Sequence, residues 1–265
     1  MRRWVSVRRL GVTVLALMLL VSLVRAHFVV IIPERATIAP GESLTVQYFE
    51  GHPFEHEISE RTPTPRVLAL VGPSGASQDL LPSLKAVGGT AGLFQFSLIA
   101  AERGDHHIVA ELPLGLAHDG GAWQRNFIKV PLHVKAQIGW DRVFGQRIEI
   151  VPLTRPYGLE AGMVFRGRVL FGGKPLADRL VEVEQYSPSP PAAESLPPEI
   201  MITRVVKTDE LGTFIVSLDK PGWWALKAEE EDGLAERDGK KLPLLVGATY
   251  WLHMEPRDDR RHEKR

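Results

Sequence analysis

The chain has 265 residues, 44% hydrophobic and 24% charged, a composition that belongs to folded globular proteins and excludes a wholly disordered one. There is no cysteine, which excludes disulfide staples, zinc–thiolate sites, cysteine nucleophiles and a lipid-modified N-terminus. Lys+Arg and Asp+Glu both number 32, so no excess of basic charge is available to neutralise nucleic-acid phosphates.

Residues 1–26 have the layout of a secretory leader. Arg2, Arg3, Arg8 and Arg9 form a basic start, Leu10–Leu23 an apolar core, and Val24-Arg25-Ala26 a cleavage site ending in a small residue. A retained anchor is the alternative, but the apolar run is short against the ~20 residues of a membrane span. Cleavage after Ala26 removes five arginines and no acid, taking the formal charge from 0 to −5. The mature chain is then expected to be periplasmic or secreted, mildly acidic and compatible with a cationic ligand.

From residue 27 onward, short alternating segments are separated by turn signals. His27–Ile32, Ser43–Phe49, Arg66–Val71, Gly92–Ile99, His106–Leu112 and Asn126–Val134 read as strands. In Ser43–Phe49, Leu44, Val46 and Tyr48 point one way and Ser43, Thr45 and Gln47 the other. Residues 135–146 read as a connector with one short helical turn. A second set follows at Arg147–Val151, Met163–Phe171, Arg179–Tyr186, Ile200–Thr208, Thr213–Leu218, Trp223–Ala228 and Thr249–Glu255, with Ser187–Pro198 as a proline-rich surface loop and 256–265 as a charged, disordered tail. The expected fold is all-β: two tandem β-sandwich domains, 27–140 and 141–255, after the signal peptide.

Cleavage would make His27 the first residue and give it a free amine beside an imidazole Nδ1, a chelate suited to Ni, Co or Cu. The segment from Glu50 to Glu57 places His52, Glu55 and His56 at the end of a strand, where Gly51 and Pro53 exclude a regular helix. Neighbouring strands pair often, so His27 and His52 are expected to converge, with Glu55 or His56 completing a site. His106 and His107 are adjacent on a strand and point to opposite faces, so His107 is the more distant candidate; His118 reads as a surface loop residue and His133 as structural. No Gly-x-Ser-x-Gly elbow or phosphate-binding glycine loop is present. Trp223-Trp224 reads as packing rather than a sugar platform. No enzymatic activity is expected.

The sequence resembles a family of periplasmic proteins known as a domain of unknown function or as the periplasmic component of nickel/cobalt uptake systems, of the NikK or CbiK type. The resemblance lies in His27-Phe28, Gly51-His52-Pro53-Phe54-Glu55, Arg125–Val130, the run from Gly139-Trp140-Asp141 through Glu149–Leu159, and Pro221-Gly222-Trp223-Trp224. It implies a Ni²⁺ or Co²⁺ binder that works with membrane permease components of an energy-coupling-factor transporter. It also implies an Ig-like or carboxypeptidase-regulatory-like second sandwich. Its opening His matches His27 and its His-Pro matches His52-Pro53, while Phe54, where some relatives carry Met, and the His56–Pro65 loop depart from it. Two other readings fit the same residues: a copper-binding protein or oxidative enzyme with a histidine brace, and a metal-free envelope interaction module.

Overall fold

The computed structural model describes residues 27–258; the expected leader and the end of the expected tail lie outside the described residues. The first half forms β1 (Phe28–Pro33), β2 (Ser43–His52), β3 (Glu57–Ile58), β4 (Val67–Val71), β5 (Ser77–Asp79), β6 (Lys85–Ala86), β7 (Phe94–Ile99), β8 (Gly104–Glu111), β9 (Gly115–Leu116) and β10 (Trp123–Val134). The second forms β11 (Ile148–Pro152), β12 (Val164–Phe171), β13 (Lys174–Pro175), β14 (Leu180–Gln185), β15 (Arg204–Lys207), β16 (Thr213–Ser217), β17 (Gly222–Arg237) and β18 (Lys240–Met254). The protein is mostly β. Among the described residues, helix is confined to the short segments Leu81–Ser83, Ala193–Ser195 and Glu199–Ile202. The last replaces the start of the strand expected at Ile200–Thr208 and follows Pro198, which stands at its N-cap.

The strands make three sheets. One has the order β1-β2-β7-β6, with β3 on the end of β2. A second, nine-stranded, has the order β15-β14-β17-β18-β10-β8-β4-β5, with β9 beside β10. The third is β11-β12-β13 with β16 on β12. The nine-stranded sheet runs through both halves of the chain. Its seam is a parallel pairing in which Trp123–Lys129 of β10 lies along Leu244–Tyr250 of β18.

Two cores result. One collects Val30, Val46, Phe96 and Val130; the other collects Phe165, Val183, Phe214 and Tyr250. The pleat lets single strands line both, since successive side chains point to opposite faces. On β18, Trp251 enters the first core while Tyr250 and Leu252 enter the second. On β17, Trp223 enters the first and Trp224 the second, so neither ring lies open as a platform. Each such side chain contributes about 1.5–3 kcal/mol of burial, so removing this hairpin would weaken both cores.

Polar contacts fix the junction. Lys129 Nζ donates to Glu149 Oε1 at 2.7 Å, with both side chains at most 2% exposed. Glu149 also accepts the backbone N–H groups of Phe144 (2.8 Å) and Gly145 (3.0 Å). In the connector, where one short helical turn was expected, a single turn closes from Arg142 N–H to the Gly139 carbonyl at 3.2 Å, and Glu149 takes the amides that follow it. Nearby, Asp105 accepts from the backbone of Ile138 (2.8 Å) and the hydroxyl of Tyr157 (3.2 Å) and lies 2.7 Å from His133 Nδ1. His133 is thus structural, as its alternation with apolar residues implied.

Candidate metal-binding site

The antiparallel register of β1 and β2 sets Phe28 opposite Gly51, which brings His27, one residue further out, beside His52. Their ring centroids are 4.6 Å apart with planes at 69°. A third imidazole joins them. His118 packs on His27 with centroids 4.6 Å apart and planes at 58°. It sits in the turn after β9, closed by Gly120 N–H to the Ala117 carbonyl (2.8 Å) and by Asp119 Oδ1, which accepts from Gly121 N–H at 2.9 Å.

The hairpin after His52 supplies a carboxylate. β2 turns through Pro53–His56 into β3, and the register sets His52 opposite Glu57. Cross-strand partners point to the same face. Gly51 makes this closure possible, because a Cβ there would lie 1.9 Å from the Glu57 carbonyl oxygen. His56 occupies the turn in the left-handed region, at φ 53°.

Burial dominates the electrostatics. The His27 imidazole is pushed down to about 4, first by burial, then by His52 and His118, with Glu57 opposing. It is neutral at pH 7, the form a metal requires. The Glu50 carboxyl, on the same strand face as His52, is raised by burial and moderated by Lys227 and His118. Lys227 is buried. Its Nζ donates to the His27 carbonyl oxygen at 3.2 Å and pairs with Glu229 Oε1 at 3.0 Å, so β17 holds the backbone of the first described residue. His27 and His118 form part of the wall of a cavity of about 740 Å³, which continues over Glu50, Glu182, Lys227 and Leu245.

Of the residues singled out from sequence, His27 and His52 meet. The others lie elsewhere. Glu55 is near enough to Glu184 of the second half to raise that carboxyl's pKa. The His56 ring packs on Phe49 and Tyr186, and its Nδ1 lies 2.8 Å from the Ser187 carbonyl oxygen. His107 is buried at the junction, edge-on to Phe144, and is pushed down to about 3 by burial and then by Lys129. His118 and Glu57 were missed. Glu57 was legible in principle, since a hairpin turning at Pro53–His56 pairs 52 with 57, not with 55 or 56. As the side chains stand, no group of three or more His, Cys, Asp or Glu is arranged to hold a metal ion among the described residues. The three imidazoles pack ring against ring, and an amine freed at His27 would be a further donor.

Fold and site together define a mostly β protein with two cores on a shared sheet and a histidine cluster beside a cavity whose wall carries several carboxylates. The chain belongs to the family described as "Domain of unknown function (DUF4198)", whose profile matches residues 24–232. No curated protein matches it in sequence. Solved structures with distant likeness include Escherichia coli alpha-2-macroglobulin activated by porcine elastase, at 15% identity and TM-score 0.27 over 88% of this chain and 20% of that one. Another is a DUF4785 family protein from Legionella pneumophila, at 11% identity and TM-score 0.26 over 76% of this chain and 52% of that one. The D0-D1 domain of Intimin is similar at 12% identity and TM-score 0.21 over 86% of this chain and 100% of that one. The chain thus spans about a fifth of the length of that macroglobulin.

Proposed function

We propose that the exported chain, trimmed after Ala26, binds a divalent transition-metal ion, Ni²⁺ or Co²⁺, as an accessory to a membrane importer. The observation that carries this is the convergence of His27 with both His52 and His118, each ring pair 4.6 Å apart. Three imidazoles and a terminal amine are nitrogen donors of the kind these ions favour. Glu57, opposite His52 in the hairpin, would add a carboxylate or hold a bound water. His27 is already held neutral, and Lys227 fixes its carbonyl, so its amine and ring would be presented together. We assign the metal as cargo, bound reversibly through open coordination positions, and the halves as two Ig-like sandwiches that share a sheet.

Equilibrium dialysis on protein beginning at an authentic His27 tests the reading. One Ni²⁺ or Co²⁺ per chain is expected. His52→Ala and His118→Ala should each lower affinity by about tenfold or more, and an extra Met before His27 should do likewise by converting the amine to an amide. Binding unchanged by all three would refute the site. Cu²⁺ is expected to bind more tightly in vitro by the general affinity order, so turnover with reductant and peroxide separates a carrier from an oxidative copper enzyme.

A further inference from the structure

The cavity beside the histidines is far larger than an ion needs. An ion with six waters at about 30 Å³ each fills on the order of 200 Å³, whereas the cavity measures about 740 Å³, within the range of small-molecule sites. Its wall is chemically specific. Glu182 Oε2 is buried and has no hydrogen-bond partner among the described residues. Glu50 and Glu229 lie on the same wall, with Lys227 between them and exposed Arg61 at the rim, while Leu245 adds an apolar surface. Five carboxylates (Glu50, Glu60, Asp119, Glu182, Glu229) and two cations (Arg61, Lys227) line the wall; burial raises the Glu50 and Glu182 carboxyls toward their neutral forms, so the acidic excess that favours a cationic guest rests on Glu60, Asp119 and Glu229.

We propose that the ion is bound as a complex with a small amino-carboxylate, an α-amino acid acting as chelator, which occupies this cavity. This rests on the metal reading above and specifies its substrate. His27 and His118 lie in the cavity wall, so coordination positions left open by the protein face the space where the chelator sits. A divalent ion with one amino-carboxylate carries a charge of +1 and suits the acidic wall; a polyanionic carboxylate complex does not. The chelator's N–H groups would donate to the carboxylates of the wall, and its carboxylate would accept from Arg61.

Native mass spectrometry of the protein starting at His27 tests this with three probes: nickel chloride, nickel with one equivalent of L-histidine, and nickel citrate. The expected result is a ternary mass of protein, one nickel and one histidine, with apparent affinity at least tenfold above that of nickel chloride and no ternary citrate species. Leu245→Trp, which fills the cavity, should abolish the ternary species and leave binding of nickel alone intact. Glu182→Gln should weaken it severalfold, and circular dichroism confirms that both variants fold. Nickel bound only without histidine, or a ternary species indifferent to Leu245→Trp, overturns the chelate proposal and leaves the ion site standing. No nickel with any probe overturns the metal reading itself, and the chelate proposal with it.

Discussion

At the scale of single residues, burial decides which histidines can act as ligands and which set acid stability. His27 is pushed down to about 4, so protons compete little for this ring above pH 5. An ordinary imidazole, at about 6.5, would yield its metal to protons below about pH 6; burial moves that threshold lower at His27. Proton release on metal uptake at pH 7 should instead come from the terminal amine, with an ordinary value near 7.7–8.0, at roughly one proton per ion. Calorimetry in buffers of different ionisation enthalpy counts it, and release of two or more protons would contradict a pre-neutralised His27. His107 affects folding instead. Its folded value, about 3, lies below the unfolded 6.5, so from pH 6.5 down to about 3 the unfolded chain holds the extra proton and stability falls with pH. The slope is up to about 1.4 kcal/mol per pH unit for one such group. Glu184 opposes it: raised to about 7 by burial, its carboxyl favours the folded state as pH falls from 7 towards 4.5. His107→Phe, which keeps the packing on Phe144, should therefore flatten the acid limb. Urea midpoints at pH 7, 5.5 and 4.5 measure this, and a slope equal to that of the wild type would count against the assignment.

At the scale of elements, the hairpin that carries His52 and Glu57 is held by the other half of the chain. Glu184, on β14, accepts the Phe54 N–H at 3.1 Å and the Thr203 hydroxyl at 2.6 Å; Ser187 N–H donates to the Pro53 carbonyl at 3.0 Å. Glu184→Ala leaves two donors without acceptors and should cost about 1–3 kcal/mol, with faster amide exchange across residues 52–58. Glu184→Gln keeps one acceptor and should fall in between. Exchange unaltered in both variants would show that the hairpin stands without the clamp. Most strands were legible because alternation is strict where one face is buried: Val67–Val71, Phe94–Ile99 and Thr213–Ser217 all lie within a residue or two of their expected bounds, while the strand expected at Ser43–Phe49 runs on to His52. The outer part of the β17–β18 hairpin was not: the expected strands stop at Ala228 and begin at Thr249, because the run of charge at Glu229–Asp232 and Lys240-Lys241 shows no alternation. Glu229, Glu230 and Glu231 still pair with Gly247, Val246 and Leu245, and Lys240 and Lys241 with Arg237 and Glu236, with a shift of register between Glu231 and Leu234. His27 and His52 were legible from strand adjacency, but His118 arrives from a loop some 65 residues beyond His52, and no local pattern encodes that contact.

At the scale of the whole molecule, the shared sheet makes the two halves one cooperative unit. Lys129 from β10 and Glu149 from β11 form the buried pair across the connector. Lys129→Met strands the Glu149 charge and should cost about 3–5 kcal/mol. Both cores should then melt together in one calorimetric transition at a lower temperature; two separated transitions, with only one shifted, would mean that the halves fold independently. The parallel pairing of β10 with β18 has a consequence for the growing chain. An exported chain emerges from its N-terminus first, so Trp123–Lys129 reaches the far side of the membrane more than a hundred residues before its partner Leu244–Tyr250. Throughout that interval one side of β10 presents unmet N–H and C=O groups, an invitation to wrong neighbours. A chaperone that shields this ribbon until the last strand has emerged would therefore raise the yield of native protein more than one that acts on the finished chain.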